Sequence, residues 1–344
     1  MNGSFPPSAP AVVVRRGSSS RGIDAWHCAA VAVVDGTGRL THTLGDPHLT
    51  TFARSTIKPF QALPLVLSGA LETLGIDGEE LAVAAASHDG SDAHRDVVAR
   101  LLAKAEAGAD DLQCGAHWPI GMRAASQFPA AGEDHDPLRH NCSGKHAGWL
   151  ALARVLGVPR ARYLQPEGGV QRAVRSAVAS ACELDADDLL IGTDGCSAPN
   201  YALPLAALAR GMKNLATRAT AGGPFDAALA RVRSAMQAHP VMVSGPERLD
   251  FQLAGAFAGI VSKGGAEGVQ AIGFSDPPLG IAIKVLDGAD RAVPPIALEV
   301  LRQLGLWSGV PPGALAARAR PVVRNHRGTE TGAIEPTFVL IPLS

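Results

Sequence analysis

The sequence predicts a mixed α/β (α+β) chain: a largely antiparallel sheet contributed by both chain ends, with a helical layer over it. Three observations lead there. β-rich runs crowd the first fifty residues and the last eighty, the middle carries amphipathic helical patterns, and turn signals join neighbouring strands as hairpins. The Gly, Pro and Ser clusters between these runs read as turns and not as an interdomain linker. A single unit over 13–344 is therefore expected, after a polar, proline-rich start over 1–12 that reads as disordered.

In chain order, Ala11–Arg15 and Cys28–Val34 read as strands, and Asp35-Gly36-Thr37-Gly38 turns the chain into a third, Arg39–Leu44. Arg54-Ser55-Thr56-Ile57-Lys58 then opens a helix, with Pro59 tolerable near its start and Ile57, Phe60, Leu63, Val66 and Leu67 at mostly helical spacing. A short apolar run, Leu81–Ala86, delivers Ser87-His88-Asp89-Gly90. Helices are expected over Ala93–Ala107, His146–Leu156, Val170–Cys182, Tyr201–Met212, Pro224–Ala238, Arg248–Ala258 and Pro295–Leu306. Val269–Phe274 and Gly280–Leu286 form a second hairpin, and Val322–Asn325 and Phe338–Ile341 read as edge strands.

Composition narrows the function. With 47% hydrophobic residues the 344-residue chain can bury a sizeable core, and a net charge of −1 without a basic block points away from nucleic acid and acidic membranes. A small-molecule substrate is expected. No run of 18 apolar residues and no apolar leader core occurs, so a cytoplasmic location is expected, and five cysteines fit reduced thiols better than a disulfide framework.

Ser55 and Lys58 are three apart, a spacing that sets both on one helical face, where the amine can act as base for the hydroxyl. Lysine is scarce, six residues against 25 arginines. That scarcity singles out Lys58, because arginine cannot be deprotonated and lysine can. Neutralising Lys58 near pH 7 needs burial or a neighbouring ammonium, for which Lys263, followed by two glycines, is the candidate. The alternative for Ser55 and Lys58 is a helix cap with a solvated lysine.

Five short motifs set a nucleophile, lysine or cysteine among small residues: R-S-T-I-K (54–58), S-H-D-G (87–90), H-N-C-S-G-K-H (140–146), D-G-C-S-A-P (194–199) and V-S-K-G-G (261–265). Together they resemble the asparaginase II family, the rhizobial-type or class 3 L-asparaginases, over about Val13 to Phe338. The resemblance implies a serine β-lactamase/glutaminase-like fold, a homodimer, and hydrolysis of L-asparagine to L-aspartate and ammonia. It implies Ser55 with Lys58 as one Ser-Lys pair and Ser87 with Lys263 as another. It also implies a zinc ion (Zn2+) held by Cys142, Lys145 and Cys196, with Arg54, Asp194 and His146 close to substrate or metal.

From the residues alone the zinc case is partial, since 54 positions separate the two cysteines and lysine is not a usual ligand. Both cysteines do sit beside glycine in polar loops, whereas Cys28, Cys114 and Cys182 read as ordinary buried thiols. His94, His117 and His135 read as ordinary hydrogen-bonding residues, and Glu133, Asp134, His135, Asp136 and His140 as a solvated loop. No glycine cluster matches a nucleotide-binding pattern, so no organic cofactor is implied. The order S-x-x-K, serine motif, Lys-Gly-Gly also suits a penicillin-recognising hydrolase or D,D-peptidase. A non-catalytic zinc-dependent binding protein is the rival from another class.

Overall fold

The computed structural model describes residues 7–17, 22–127 and 136–343. The strands are β1 (Ala9–Arg16), β2 (Ile23–Asp35), β3 (Leu40–Leu44), β4 (Thr50–Phe52), β5 (Leu190–Thr193) and β6 (Pro199–Pro204). They continue with β7 (Ile260–Gly265), β8 (Val269–Ser275), β9 (Pro278–Val285), β10 (Val322–Arg324), β11 (Glu330–Pro336) and β12 (Ile341–Pro342). The main sheet runs β10-β11-β1-β2-β9-β8-β7, with β3 also on β2 and β12 on β3. Every pairing is antiparallel.

Strand β2 joins the two chain ends. Its first half pairs with β1 and its second with β3 along one edge, while β9 occupies the other edge with Val31 opposite Ile283. β4, β6 and β5 form a separate three-stranded sheet that the sequence reading does not contain.

Both faces of the main sheet are covered, so the layering exceeds the single helical layer expected. Along β2, Ala29, Val31 and Val33 join a core with Ile296, Ala297, Val300 and Leu301 of the Val293–Gln303 helix. The alternate residues Ala30, Ala32 and Val34 join the larger core of the helical body. Period-two alternation therefore separates large residues on one face from small ones on the other.

The small face lets a helix in close. At Gly273 and Gly280 an added Cβ would stand 2.2 Å from the Met212 carbonyl oxygen and 2.0 Å from that of Ala209. The Leu205–Thr217 helix thus lies directly on the strands, which is why this face is built from glycine and alanine.

Most expected helices form, with informative differences. The apolar run Leu81–Ala86 belongs to the Gly78–Ala84 helix, started by a capping box in which Asp77 accepts from the Glu80 N–H and the Glu80 carboxylate accepts from the Asp77 N–H. Tyr201–Pro204 is strand β6, and the helix starts only at Leu205. Within the stretch 1–12, residues 1–6 lie outside the described residues, and strand β1 begins at Ala9. No helix among the described residues is long and apolar enough to cross a membrane.

Candidate active site

The Ser55 segment begins as a 3-10 turn, Arg54–Ile57, that passes into a four-residue α-helix at Lys58. Arg54 takes a left-handed backbone, φ 52°, and its Nε donates to Asp194 Oδ1 at 2.8 Å. That ion pair ties the turn to the Asp194–Cys196 loop and holds a conformation costly for a residue with a Cβ. Strand β7 crosses the turn so closely that a Cβ at Gly265 would lie 3.2 Å from the Ser55 nitrogen. A Cβ at Gly144 would lie 2.2 Å from the Val83 carbonyl oxygen, so the start of the Ser143–Leu156 helix packs on the helix that ends before Ser87. Glycines thus gather four segments around one point.

At that point lies Lys58, fully buried. Its Nζ donates to Ser87 Oγ at 2.9 Å and reaches the Ala86 carbonyl oxygen at 2.6 Å, Cys142 Sγ at 3.1 Å and the Asn141 carbonyl oxygen at 3.3 Å. Four acceptors surround a group with three N–H bonds, so one is always left over. Among the described residues no hydrogen bond joins Ser55 to Lys58, although their three-residue spacing predicts one. The lysine instead crosses to Ser87 and its neighbours, which together offer an ammonium more acceptors than one hydroxyl could.

Lys263 likewise does not bond Ser87. Its Nζ donates to the Gly264 carbonyl oxygen at 2.9 Å and stands 3.9 Å from Asp250 Oδ2. Asp250 is a buried carboxylate that accepts from Ser262 Oγ at 2.7 Å, the Gly264 N–H at 2.8 Å and Gln270 Nε2 at 2.9 Å. A lone acid on a short helix gives no sequence signal, and Asp250 and Gln270 escape the motif reading for that reason.

Charge in this region follows burial and pairing. Burial is the largest influence on Lys58 and pulls its pKa below the ordinary lysine value; the Cys142 sulfur opposes the shift and Lys145 adds to it. Lys145 is thus the neighbouring ammonium with the largest influence on Lys58, and Lys263 and Lys58 also repel each other. Lys263 is pushed down to about 7, first by burial, against the pull of Asp250 and with a contribution from Lys58.

The thiols lie beside this pair. Cys142 and Cys196 share a hydrogen bond, the largest influence holding the Cys142 pKa well below its ordinary value and raising that of Cys196. Lys145 Nζ donates to Cys196 Sγ at 3.2 Å and sits 4.5 Å from the centre of the Trp149 ring. Burial opposes its charge, yet Cys196, Cys142 and Asp194 outweigh that and raise its pKa. Asp194 lies close enough to Lys145 and Arg54 that they overcome its own burial and lower its pKa.

His146 Nδ1 is 2.7 Å from the Tyr163 hydroxyl, and the imidazole also shares a hydrogen bond with the Cys196 thiol. Burial pushes its pKa down to about 4, opposed by the Cys196 sulfur. The imidazole is neutral. His140 is buried, with Nδ1 accepting from the Cys142 N–H at 3.0 Å, so it does not belong to a solvated loop. Glu133, Asp134 and His135 lie outside the described residues.

Two sulfurs and an amine meeting here, with the His146 imidazole beside them, are sulfur and nitrogen donors of the kind zinc takes. Among the described residues no three His, Cys, Asp or Glu side chains cluster in metal-binding geometry, so a metal held here would need the Lys145 amine as a ligand. The donor set fits zinc once the thiol and ammonium protons leave.

A cavity of about 470 Å³ opens beside these groups, and Ser55, Ser87, Asn141, Asp250, Gly265 and Gln270 are among its lining residues. Fold and cavity together define the class: an α/β protein with an antiparallel sheet covered on both faces and a buried serine–lysine contact opening on a small polar chamber. The family description L-asparaginase II matches residues 12–336, and the chain belongs to that family. Among solved structures, the chain is similar to a β-lactamase from Mycobacterium bovis at 15% identity and a TM-score of 0.39, over 80% of this chain and 94% of that one. No curated protein matches the chain.

Proposed function

We propose that the chain is an L-asparaginase, an amidohydrolase converting the side-chain amide of L-asparagine to L-aspartate and ammonia through a serine acyl-enzyme. Family membership supports the substrate class. The observation that carries the chemistry is the 2.9 Å contact between buried Lys58 and Ser87 on the wall of a cavity that Ser55 shares.

Ser55 Oγ, which carries no hydrogen bond among the described residues, attacks the amide carbon as its proton passes through the Ser87 hydroxyl to the Lys58 amine, whose uncharged form burial favours. The C–N bond then breaks, ammonia leaves with the proton returned along the same path, and water cleaves the ester to release L-aspartate and regenerate Ser55. Backbone N–H groups at the start of the 54–57 turn are natural donors to the developing oxyanion. Lys263, at about 7, is the lysine best matched to exchange protons near neutrality, and it serves the hydrolytic water.

Cys142, Lys145 and Cys196 would hold zinc, with Arg54, Asp194 and His146 around substrate and metal. Bound zinc supplies a positive charge that holds the substrate. A cytoplasmic homodimer completes this reading. Ammonia release from L-asparagine and L-glutamine by purified protein, before and after chelation, tests it: no release from L-asparagine by the zinc-loaded protein refutes it.

A further inference from the structure

We propose that Glu247 and Arg248 form a clamp for the two charges of a free α-amino acid, so that the cavity accepts asparagine itself and rejects asparagine within a peptide. The proposal rests on the amidohydrolase reading above and names how its substrate is selected.

Both residues line the 470 Å³ cavity that holds Ser55 and Ser87. Both also line an adjoining cavity of about 760 Å³, which shares Ile120, Ala124 and Arg318 with the first. They therefore stand at the doorway between an outer chamber and the serines. Among the described residues neither side chain makes a hydrogen bond or ion pair, and Arg248 is half-buried.

The other charged groups on the wall are already committed or displaced. Arg318 donates through Nε to Gln252 Oε1 and through Nη2 to the Glu247 carbonyl oxygen. The Asp250 carboxylate is taken up by Ser262, Gly264, Gln270 and Lys263. Asp290, exposed as Glu247 is, lies on a separate segment of the chain and so is not a neighbour of Arg248 in sequence. The substrate's α-carboxylate and α-ammonium branch from one carbon, so their receptors must be neighbours, and consecutive residues of opposite charge meet that demand. Arg248 presents the planar fork that matches a carboxylate in two parallel hydrogen bonds; Glu247 takes the ammonium. A peptide-embedded asparagine offers neither charge and leaves the guanidinium unpaired at the cavity mouth.

The test uses two amides that each lack one charge: 3-aminopropanamide, without the α-carboxylate, and succinamic acid, without the α-ammonium. Arg248→Met should raise KM for L-asparagine by about 10- to 100-fold, as expected for losing a charge-assisted pair, and leave KM for 3-aminopropanamide unchanged. Glu247→Gln should raise KM for L-asparagine and leave that for succinamic acid unchanged, whereas Asp290→Asn should change neither. Retained turnover of the matched analogue shows that each variant is folded. Equal losses on L-asparagine and on the matched analogue would overturn the clamp, as would a loss only in Asp290→Asn.

Calorimetry with L-aspartate separates this proposal from the reaction it rests on. Binding that Arg248→Met abolishes, in a protein that releases no ammonia, would refute the reaction and keep the clamp. Ammonia release with L-aspartate binding and KM untouched by Arg248→Met would refute the clamp and keep the reaction.

Discussion

Replacing Asp250 by asparagine removes one charge from the surroundings of Lys263 and one acceptor oxygen from the hydrogen bonds that Asp250 receives. The amide is the same size and can still accept from Ser262 or the Gly264 N–H. Lys263 and Asp250 stand 3.9 Å apart, and at an effective dielectric of about 20 their attraction is at most about 4 kcal/mol, or about three pKa units. Asp250 favours the charged amine, so its loss lets burial act less opposed and the Lys263 pKa falls below its present value of about 7. A base is competent only when neutral. The lower pKa keeps Lys263 neutral to lower pH, and the acid limb of kcat/KM should move down by about one to three units. Ammonia release from L-asparagine measured from pH 4 to 9 reads the limb directly. Carbon NMR of labelled lysine, with only six lysines in the chain, reads the titration itself. An acid limb that stays near 7 in Asp250→Asn would show that another group sets it, and the assignment of Lys263 would fail.

Further outcomes follow from the same geometry. Ser55→Ala should lower turnover by at least about 10³-fold, and a trapped acyl group found on Ser87 by mass spectrometry would reverse the roles of the two serines. Lys263→Met should lose about 10²–10⁴-fold at every pH, as expected for losing a group that moves a proton; recovery in alkaline buffer would show that its charge acts on Lys58 instead. Cys142→Ala or Cys196→Ala should raise KM for L-asparagine more than it lowers kcat, and a lost kcat at unchanged KM would point to a metal-bound nucleophile instead. Gly280→Ala, whose Cβ would meet the Ala209 carbonyl oxygen at 2.0 Å, should cost about 1–3 kcal/mol in urea unfolding. Gly255→Ala, in a helix with open space at that point, should instead be neutral or stabilising by up to about 1 kcal/mol.

The parts of this fold legible in the sequence are those whose side chains report their own environment. Val31 and Val33 announce a strand, and Asp35-Gly36-Thr37-Gly38 announces the turn after it, because β-branched packing and turn chemistry are local. Strand β7 went unread because Ser262, Lys263, Gly264 and Gly265 carry no β signature; β8 supplies its pairing from outside. β11 hid for the same reason, its Glu330, Thr331 and Gly332 polar or small. At the site the motifs named the groups that meet, but not which atoms touch. Three-residue spacing proposed Ser55 for Lys58, and a long flexible side chain turned to Ser87 instead. Asp250 and the free pair Glu247 and Arg248 matter through tertiary placement, which no spacing along the chain encodes.

The pairing of Val31 with Ile283 joins segments some 250 positions apart, and it sets a timetable for synthesis. Ser55, Ser87, Cys142 and Cys196 all leave the ribosome before β7 to β9 exist, so the serine turn has no strand to rest on and the alanine-rich face of β2 has no neighbour on its β9 edge. Contacts of such separation close late and slowly. Until then the half-made chain exposes apolar surface and a central strand open along one edge, the condition in which nascent proteins aggregate or recruit chaperones. The chamber is thus finished among the last steps of folding, and a ribosome-bound intermediate lacking the final strands holds the chemical groups without the enclosure that brings them together.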